Sequence, residues 1–291
     1  MSNTLITSMV ITVIIILVLV AILLIIKTVI TPKGTVKIDI NNGKKDLNVT
    51  PGGTLMGTLA DNQIFLPSAC GGKANCGQCK VQVISGGGEI LPTETGFFNR
   101  KQIKDGWRLG CQVKVKEDMK IQVAESALSV KKLECEVISN KNVATFIKEF
   151  TVKLPEGENL EFKSGEYIQI DIPAYHIYFK DIDVEPEYRK DWEKYGFFNL
   201  ESINPAPTIR AYSMASYPGE KGIIKLNVRI ATPPFDRSVP RELGPKLLPV
   251  NPGIASSYVF TRKPGDKVTI SGPYGEFLLP TNDPDDIEYI F

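Results

Sequence analysis

From Met1 to Ile26 no side chain carries a charge, and Val10 to Ile26 is an almost unbroken run of valine, isoleucine and leucine. About 26 helical residues reach roughly 39 Å, against a bilayer core of about 30 Å. Tilt absorbs the difference. The competing reading is a cleaved signal peptide, which requires a basic leader, a shorter apolar stretch and a small-residue cleavage site. Residues 2–7 contain no Lys or Arg, and nothing like A-x-A precedes Thr31. The expectation is a retained transmembrane helix over residues 1–32. Lys27, Lys33, Lys37, Lys44 and Lys45 follow the apolar run and no basic side chain precedes it. Positive charge marks the cytoplasmic flank of a membrane helix, so the remaining residues are expected in the cytoplasm, behind a single pass.

Past the anchor the pattern changes to period two. Residues 35–40 alternate apolar and polar as a half-buried strand does, 41–43 form a turn, and 47–49 are the return strand. Residues 54–60 read as a short helix with Thr54 as its N-cap. Residues 80–84 read as a strand, 85–88 as a turn, and 112–115 and 120–123 as further alternating runs. Together these predict a first soluble domain over residues 33–127. Beyond about residue 130 come strands at 135–139, 145–154, 167–172, 223–230 and 267–270, each bounded by Gly, Pro, Asn or Asp. Short strands at such spacing predict an antiparallel barrel over residues 128–281.

Two segments stand outside this pattern. Residues 173–208 are a long excursion containing Tyr175-His176-Ile177-Tyr178 and the aromatics Trp192, Tyr195, Phe197 and Phe198. An excursion of that length in a compact barrel is functional or an appendage. It is expected to dock a partner; a local aromatic core is the alternative, and His176 is expected to pack rather than to bind a ligand. Residues 282–291 read as the first strand of a further α/β domain whose glycine-rich turn is not in the sequence. The expectation is a chain cut from a longer protein.

Composition sharpens the picture at three points. With 43% hydrophobic and 23% charged residues the chain is neither disordered nor fibrous. Thirty-four Lys and Arg balance 33 Asp and Glu, so no basic excess points to nucleic acid. Five cysteines are an odd number, and a reducing cytoplasm disfavours structural disulfides, which leaves them available to a metal.

Three of those cysteines fall within CGGKANCGQC, Cys70 to Cys79, and Cys111 follows after 31 intervening residues. Thiolates in a glycine-rich loop suit iron bridged by sulfide, because glycines let backbone N–H groups turn toward the negative charge. Structural zinc more often takes paired C-x-x-C units or histidines, and His176 is the single histidine. Inert core thiols and thioredoxin-like chemistry are the other readings, and neither matches a glycine-rich loop outside a βαβ unit. Cys135 sits in an alternating strand and reads as an ordinary buried thiol.

The pattern Cys70-x5-Cys76-x2-Cys79 with distant Cys111 resembles the plant-type 2Fe-2S ferredoxins of β-grasp fold, with one residue more between the first two cysteines. That resemblance implies Cys70, Cys76, Cys79 and Cys111 as the metal ligands. Arg210-Ala211-Tyr212-Ser213 resembles the R-x-Y-S motif of the ferredoxin–NADP reductase type of flavin barrel. Residues 252–258, PGIASSY, and 272–277, GPYGEF, are similar to that family's Gly-x-x-Ser segment and closing turn. The resemblance implies FAD held by Arg210, Ala211, Tyr212, Ser213, Gly253, Ser256 and Ser257, with Ser213 and Tyr212 as candidate catalytic residues. Arg210 offers a fixed charged fork to a pyrophosphate, Tyr212 a flat face, Ser213 a hydroxyl near the site of hydride arrival, and Gly253 the start of a phosphate-binding helix.

Anchor, ferredoxin domain, flavin barrel and the start of a nucleotide domain, in that order, resemble the family of F subunits of bacterial sodium-translocating NADH:quinone oxidoreductases across essentially the whole chain. The resemblance implies hydride transfer from NADH to FAD, single electrons passed to the 2Fe-2S cluster, and delivery to other membrane subunits that reduce ubiquinone and export sodium. Two alternatives remain open. One is a membrane-tethered reductase serving an oxygenase or another acceptor. The other is a non-enzymatic electron-transfer protein.

Overall fold

The computed structural model describes residues 3–30, 34–239 and 245–275. The expected strand at 282–291 and the end of the closing turn, Glu276 and Phe277, lie outside the described residues. Helix α1, Asn3–Ile30, carries a window, Thr7–Leu24, of mean hydropathy 3.1 with none of it buried. It is long and apolar enough to cross a membrane.

The chain forms two compact units. The first holds the residues up to Asn62 together with Val81–Val123, and the second holds Gln63–Lys80 with the residues from Ala124 on. In the first, β1 (Val36–Ile40) and β2 (Lys45–Val49) form an antiparallel hairpin in the expected place. Asn41 and Asn42 turn it at φ 53° and 57°, a conformation asparagine tolerates better than most residues. Helix α2 (Leu55–Asp61) starts where Thr54 accepts a bond from the Gly57 N–H at 3.1 Å. Then follow β3 (Lys80–Ser85), α3 (Arg100–Lys104), β4 (Trp107–Leu109) and β5 (Met119–Gln122). The sheet order is β2-β1-β5-β3-β4, with β1 parallel to β5. Parallel central strands with a helix between them are the β-grasp arrangement. Ile38 and Ile40 of β1, Leu55 and Leu59 of α2 and Ile121 of β5 are almost wholly buried. Each such side chain contributes about 1.5–3 kcal/mol over leaving it in water.

The alternating run at 112–115 is not a ladder strand. Val113 and Val115 are buried, which explains the alternation. Their backbone instead bonds the segment entering α2: Leu55 N–H donates to Val113 O at 2.8 Å and Val115 N–H to Gly53 O at 3.1 Å. Alternation reports burial of one face, and here a loop supplies the partners.

The second unit opens with α4 (Glu125–Ser129) and a long hairpin, β6 (Lys131–Ala144) and β7 (Ile147–Lys153). Next come β8 (Tyr167–Ile172), β9 (Tyr175–Tyr178), α5 (Pro186–Lys194), β10 (Glu201–Asn204), β11 (Thr208–Ser213), β12 (Ile223–Arg229), α6 (Ile254–Thr261) and β13 (Lys267–Tyr274). Six strands pair antiparallel in the order β11-β8-β13-β6-β7-β12. The two ends of that order meet: Ala215 N–H donates to Lys225 O at 2.8 Å. The sheet thus rolls into the expected barrel. Leu133, Cys135 and Val137 of β6 point inward.

The excursion at 173–208 builds a hairpin, β9 against β10, and helix α5. Trp192 of α5 is fully buried and its indole N–H donates to Thr145 O at 2.7 Å. Its ring lies 5.5–6.5 Å from those of Phe146, Phe179, Phe197, Phe198 and Phe260. The aromatics of the segment therefore extend the barrel core. His176 bonds Glu201 at 2.7 Å and packs on Tyr178.

Candidate functional site

The cysteine loop curls because several of its residues turn left-handed: Gly71, Gly72 and Gly77 have φ of 66°, 83° and 67°, and Ala74 has 57°. Such turns point successive N–H groups to one side, the arrangement that suits an anionic centre. The sulfurs of Cys70 and Cys76 lie 3.4 Å apart. Two thiolates on one tetrahedral metal at about 2.3 Å sit about 3.8 Å apart, a spacing close to that of this pair. Lys73 N–H points at the Cys70 sulfur at 3.3 Å. Burial works to raise the Cys70 thiol. The N–H groups of Asn75, Cys76 and Lys73, with the Cys76 thiol, outweigh it and bring it down to about 7. Cys79 is buried in the same loop, and Cys111 is buried in the first unit just after β4. Among the described residues no three thiol, imidazole or carboxylate groups converge as one metal ion would require. The spacing of Cys70 and Cys76 would suit iron held by thiolates. Cys135 is different: burial pushes its thiol up to about 12, against a weaker pull from Lys267, and it is inert.

The loop lies against the strand that carries the R-x-Y-S motif. Arg210 Nη1 donates to Cys70 O at 3.1 Å, to Thr208 Oγ1 at 2.9 Å and to Ile209 O at 2.7 Å. A Cβ on Gly71 would sit 2.8 Å from Arg210 Nη1 and from Ile209 O, so only glycine allows this approach. Gln78 Oε1 accepts from Ala69 N–H and from the Tyr167 hydroxyl, both at 3.0 Å, tying the loop to β8.

On β11, Arg210 and Tyr212 are half-buried and Ser213 is exposed at the strand end. Burial holds the Tyr212 hydroxyl well above its usual range, against the opposing charge of Arg210. Ala211 pairs with Gln169 of β8 and contributes backbone. Gly253 caps α6, and a Cβ there would lie 2.6 Å from that of Ala231. The Ser256 hydroxyl accepts from Ala231 N–H and donates to Gly253 O, both at 3.1 Å. Ser257 Oγ is buried, with the Tyr175 hydroxyl as a polar neighbour. A helix opening on a capless glycine, with a buried hydroxyl at its first turn, suits a phosphate.

Sequence reasoning missed one structural element of the first unit. Arg108 and Glu94 form a buried ion pair, 2.7 Å between Nη2 and Oε2. Arg108 Nη1 also donates to Gly87 O and Gly88 O at 3.0 and 2.9 Å, and Glu94 accepts from the N–H groups of Leu109 at 2.8 Å and Leu91 at 3.0 Å. The pair fixes β4 just ahead of Cys111. A lone charged residue within Trp-Arg-Leu-Gly-Cys was its only local signal.

Comparison with known proteins agrees with these features. Residues 38–116, which include all four expected ligands, match the 2Fe-2S iron-sulfur cluster binding domain, and residues 194–278 match the oxidoreductase FAD-binding domain. The chain therefore carries a 2Fe-2S and an FAD module. It is 53% identical over 257 residues to the F subunit of the Na(+)-translocating NADH-quinone reductase of Methylococcus capsulatus, covering 88% of this chain and 61% of that protein. It is 52% identical over 245 residues to the corresponding protein of Pseudomonas aeruginosa, covering 84% and 57%. The chain thus spans about three-fifths of the length of these relatives. A cytochrome P450 reductase from Amycolatopsis is similar at a TM-score of 0.48 and 21% identity, over 87% of this chain and 61% of its own.

Proposed function

We propose that this chain, which belongs to the family of F subunits of sodium-translocating NADH-quinone reductases, is the electron-input part of such a complex. In the intact protein the residues proposed for FAD and for the 2Fe-2S centre would serve electron transfer from NADH to neighbouring membrane subunits, in a complex that reduces quinone and exports sodium. The flavin, when bound, supplies the exchange between a two-electron donor and a one-electron carrier. Residues 1–32 anchor the chain by one pass in the inner membrane, with residues 33–127 as ferredoxin domain and 128–281 as flavin barrel on the cytoplasmic side.

Cys70, Cys76, Cys79 and Cys111 hold the iron. Arg210 would bind the FAD pyrophosphate, Tyr212 would pack on the flavin, Ser213 would hydrogen-bond near its reactive edge, and Gly253, Ser256 and Ser257 would form the phosphate-binding turn. The observation that supports this reading best is the packing of the cysteine loop on the R-x-Y-S strand, with Arg210 on the Cys70 carbonyl. That contact puts the residue proposed for the pyrophosphate beside the loop proposed for the iron.

Analysis of anaerobically purified protein tests the reading: about two irons, two acid-labile sulfides and one FAD per chain are expected. Zinc without sulfide would refute it. Arg210→Ala is expected to weaken FAD binding by about 1.5–3 kcal/mol, the worth of a charged hydrogen bond, or roughly tenfold to a hundredfold. Titration of flavin-free protein with FAD measures this, and wild-type affinity would remove Arg210 from the pyrophosphate role.

A further inference from the structure

We infer that the segment 173–208 is a brace for the flavin-phosphate helix, with Tyr175 and Asn251 as positioning residues for FAD. The inference rests on the flavin reading of α6. Three contacts carry it. The Tyr175 hydroxyl, on β9, donates to the carbonyl of Ile254, the first residue of α6. It also exchanges a bond with Ser202 Oγ of β10 at 3.0 Å, so both strands of the hairpin share the grip. The Tyr175 ring stacks on that of Tyr258 one turn further along α6, at 6.2 Å.

The chain entering the helix is held separately. Asn251 accepts from Ile203 N–H at 2.9 Å through Oδ1 and donates to Ile203 O at 3.0 Å through Nδ2. Its side-chain amide thus behaves as one rung of a ladder on the open edge of β10, two residues before Gly253. The opposite flank is held by the barrel: Gly253 N–H donates to Ala231 O at 2.7 Å, and Ala231 N–H to Ser256 Oγ. The base of the hairpin is closed by Asn204 Nδ2 on Pro173 O at 2.6 Å. The first turn of α6 is therefore gripped from two sides, by β12's continuation and by the hairpin.

This matters because anion binding at a helix start depends on where a few N–H groups point. A supporting shell fixes that direction before the ligand arrives, which lowers the ordering cost of binding. Nothing in the α6 sequence itself caps the helix. The long excursion thus gains a role inside its own domain.

Tyr175→Phe keeps the ring and removes the bond to Ile254; Asn251→Ala removes the rung on Ile203. In the full chain freed of flavin, each is expected to weaken FAD binding about fivefold or more by fluorescence titration. Amide exchange at Ser257 and Tyr258 is expected to quicken, while the Trp192 core and the visible iron–sulfur spectrum stay as in wild type. Wild-type FAD affinity in both variants overturns the brace. So does exchange raised throughout the barrel, which would mark a general loss of stability. A wild-type chain that binds no FAD overturns the brace and the flavin reading together, whereas normal wild-type binding with unaltered variants removes the brace alone.

Discussion

Replacing Cys76 with serine is expected to abolish the visible absorption and the reduced-state paramagnetic signal of the 2Fe-2S centre while FAD stays bound. Iron in this type of centre takes thiolate, a soft ligand. A serine hydroxyl is not ionised at neutral pH, and its harder oxygen sits on a shorter bond. Cys76 also lies 3.4 Å from Cys70, sulfur to sulfur, and its thiol and N–H help hold Cys70 in its low-pKa form. Removing it is therefore expected to disturb two of the proposed ligands at once. Cys135→Ser is the matched control: that thiol is buried in β6, pushed up to about 12, and its loss is expected to leave the spectrum unchanged. A Cys76→Ser protein with a wild-type spectrum would show that the ligand set is wrong.

The second large effect is expected from Glu94→Ala. Both partners of the Glu94–Arg108 pair are almost wholly removed from water. The carboxylate satisfies the guanidinium and two backbone N–H groups, so its loss strands a buried positive charge and two donors. Breaking a buried pair in this way costs about 3–5 kcal/mol. For a domain of this size that is a drop of at least about 12 °C in melting temperature. Because Leu109 is held by Glu94 and Cys111 follows two residues later, iron retention is expected to fall in parallel. Glu94→Leu combined with Arg108→Met removes both charges and should recover part of the loss, since a buried pair is often worth no more than apolar packing. Thermal unfolding followed together with iron content checks both statements. A single substitution costing under about 1 kcal/mol would mean that water reaches the pair.

The two results bear on different parts of the chain's chemistry. The cysteine loop selects what is bound. The ion pair sets the strand before the distant cysteine, whose position no local pattern in the sequence specifies.

Much of this molecule was legible in its sequence because the signals are local. The apolar run that forms α1 needs no partner to be recognised. The hairpin of β1 and β2 is encoded by alternation around an Asn-Asn-Gly turn, and the start of α2 by Thr54. The cysteine spacing and R-A-Y-S stand out as candidate sites because metal and phosphate chemistry demand particular residue types at short separations. What the tertiary structure alone decided are pairings across long separations. Residues 112–115 alternate like a strand yet bond a loop, because alternation records burial and not the partner. Glu94 finds Arg108 across 14 residues, and Tyr175 finds Ile254 across 79. Arg210 meets Cys70 across 140. Each of those contacts exists only after the chain has closed its sheets, since a polar side chain in a sequence does not announce which buried charge or carbonyl it will satisfy. The chemistry of the ligands was thus written in local residue types, and the geometry that holds them was set by the closed fold.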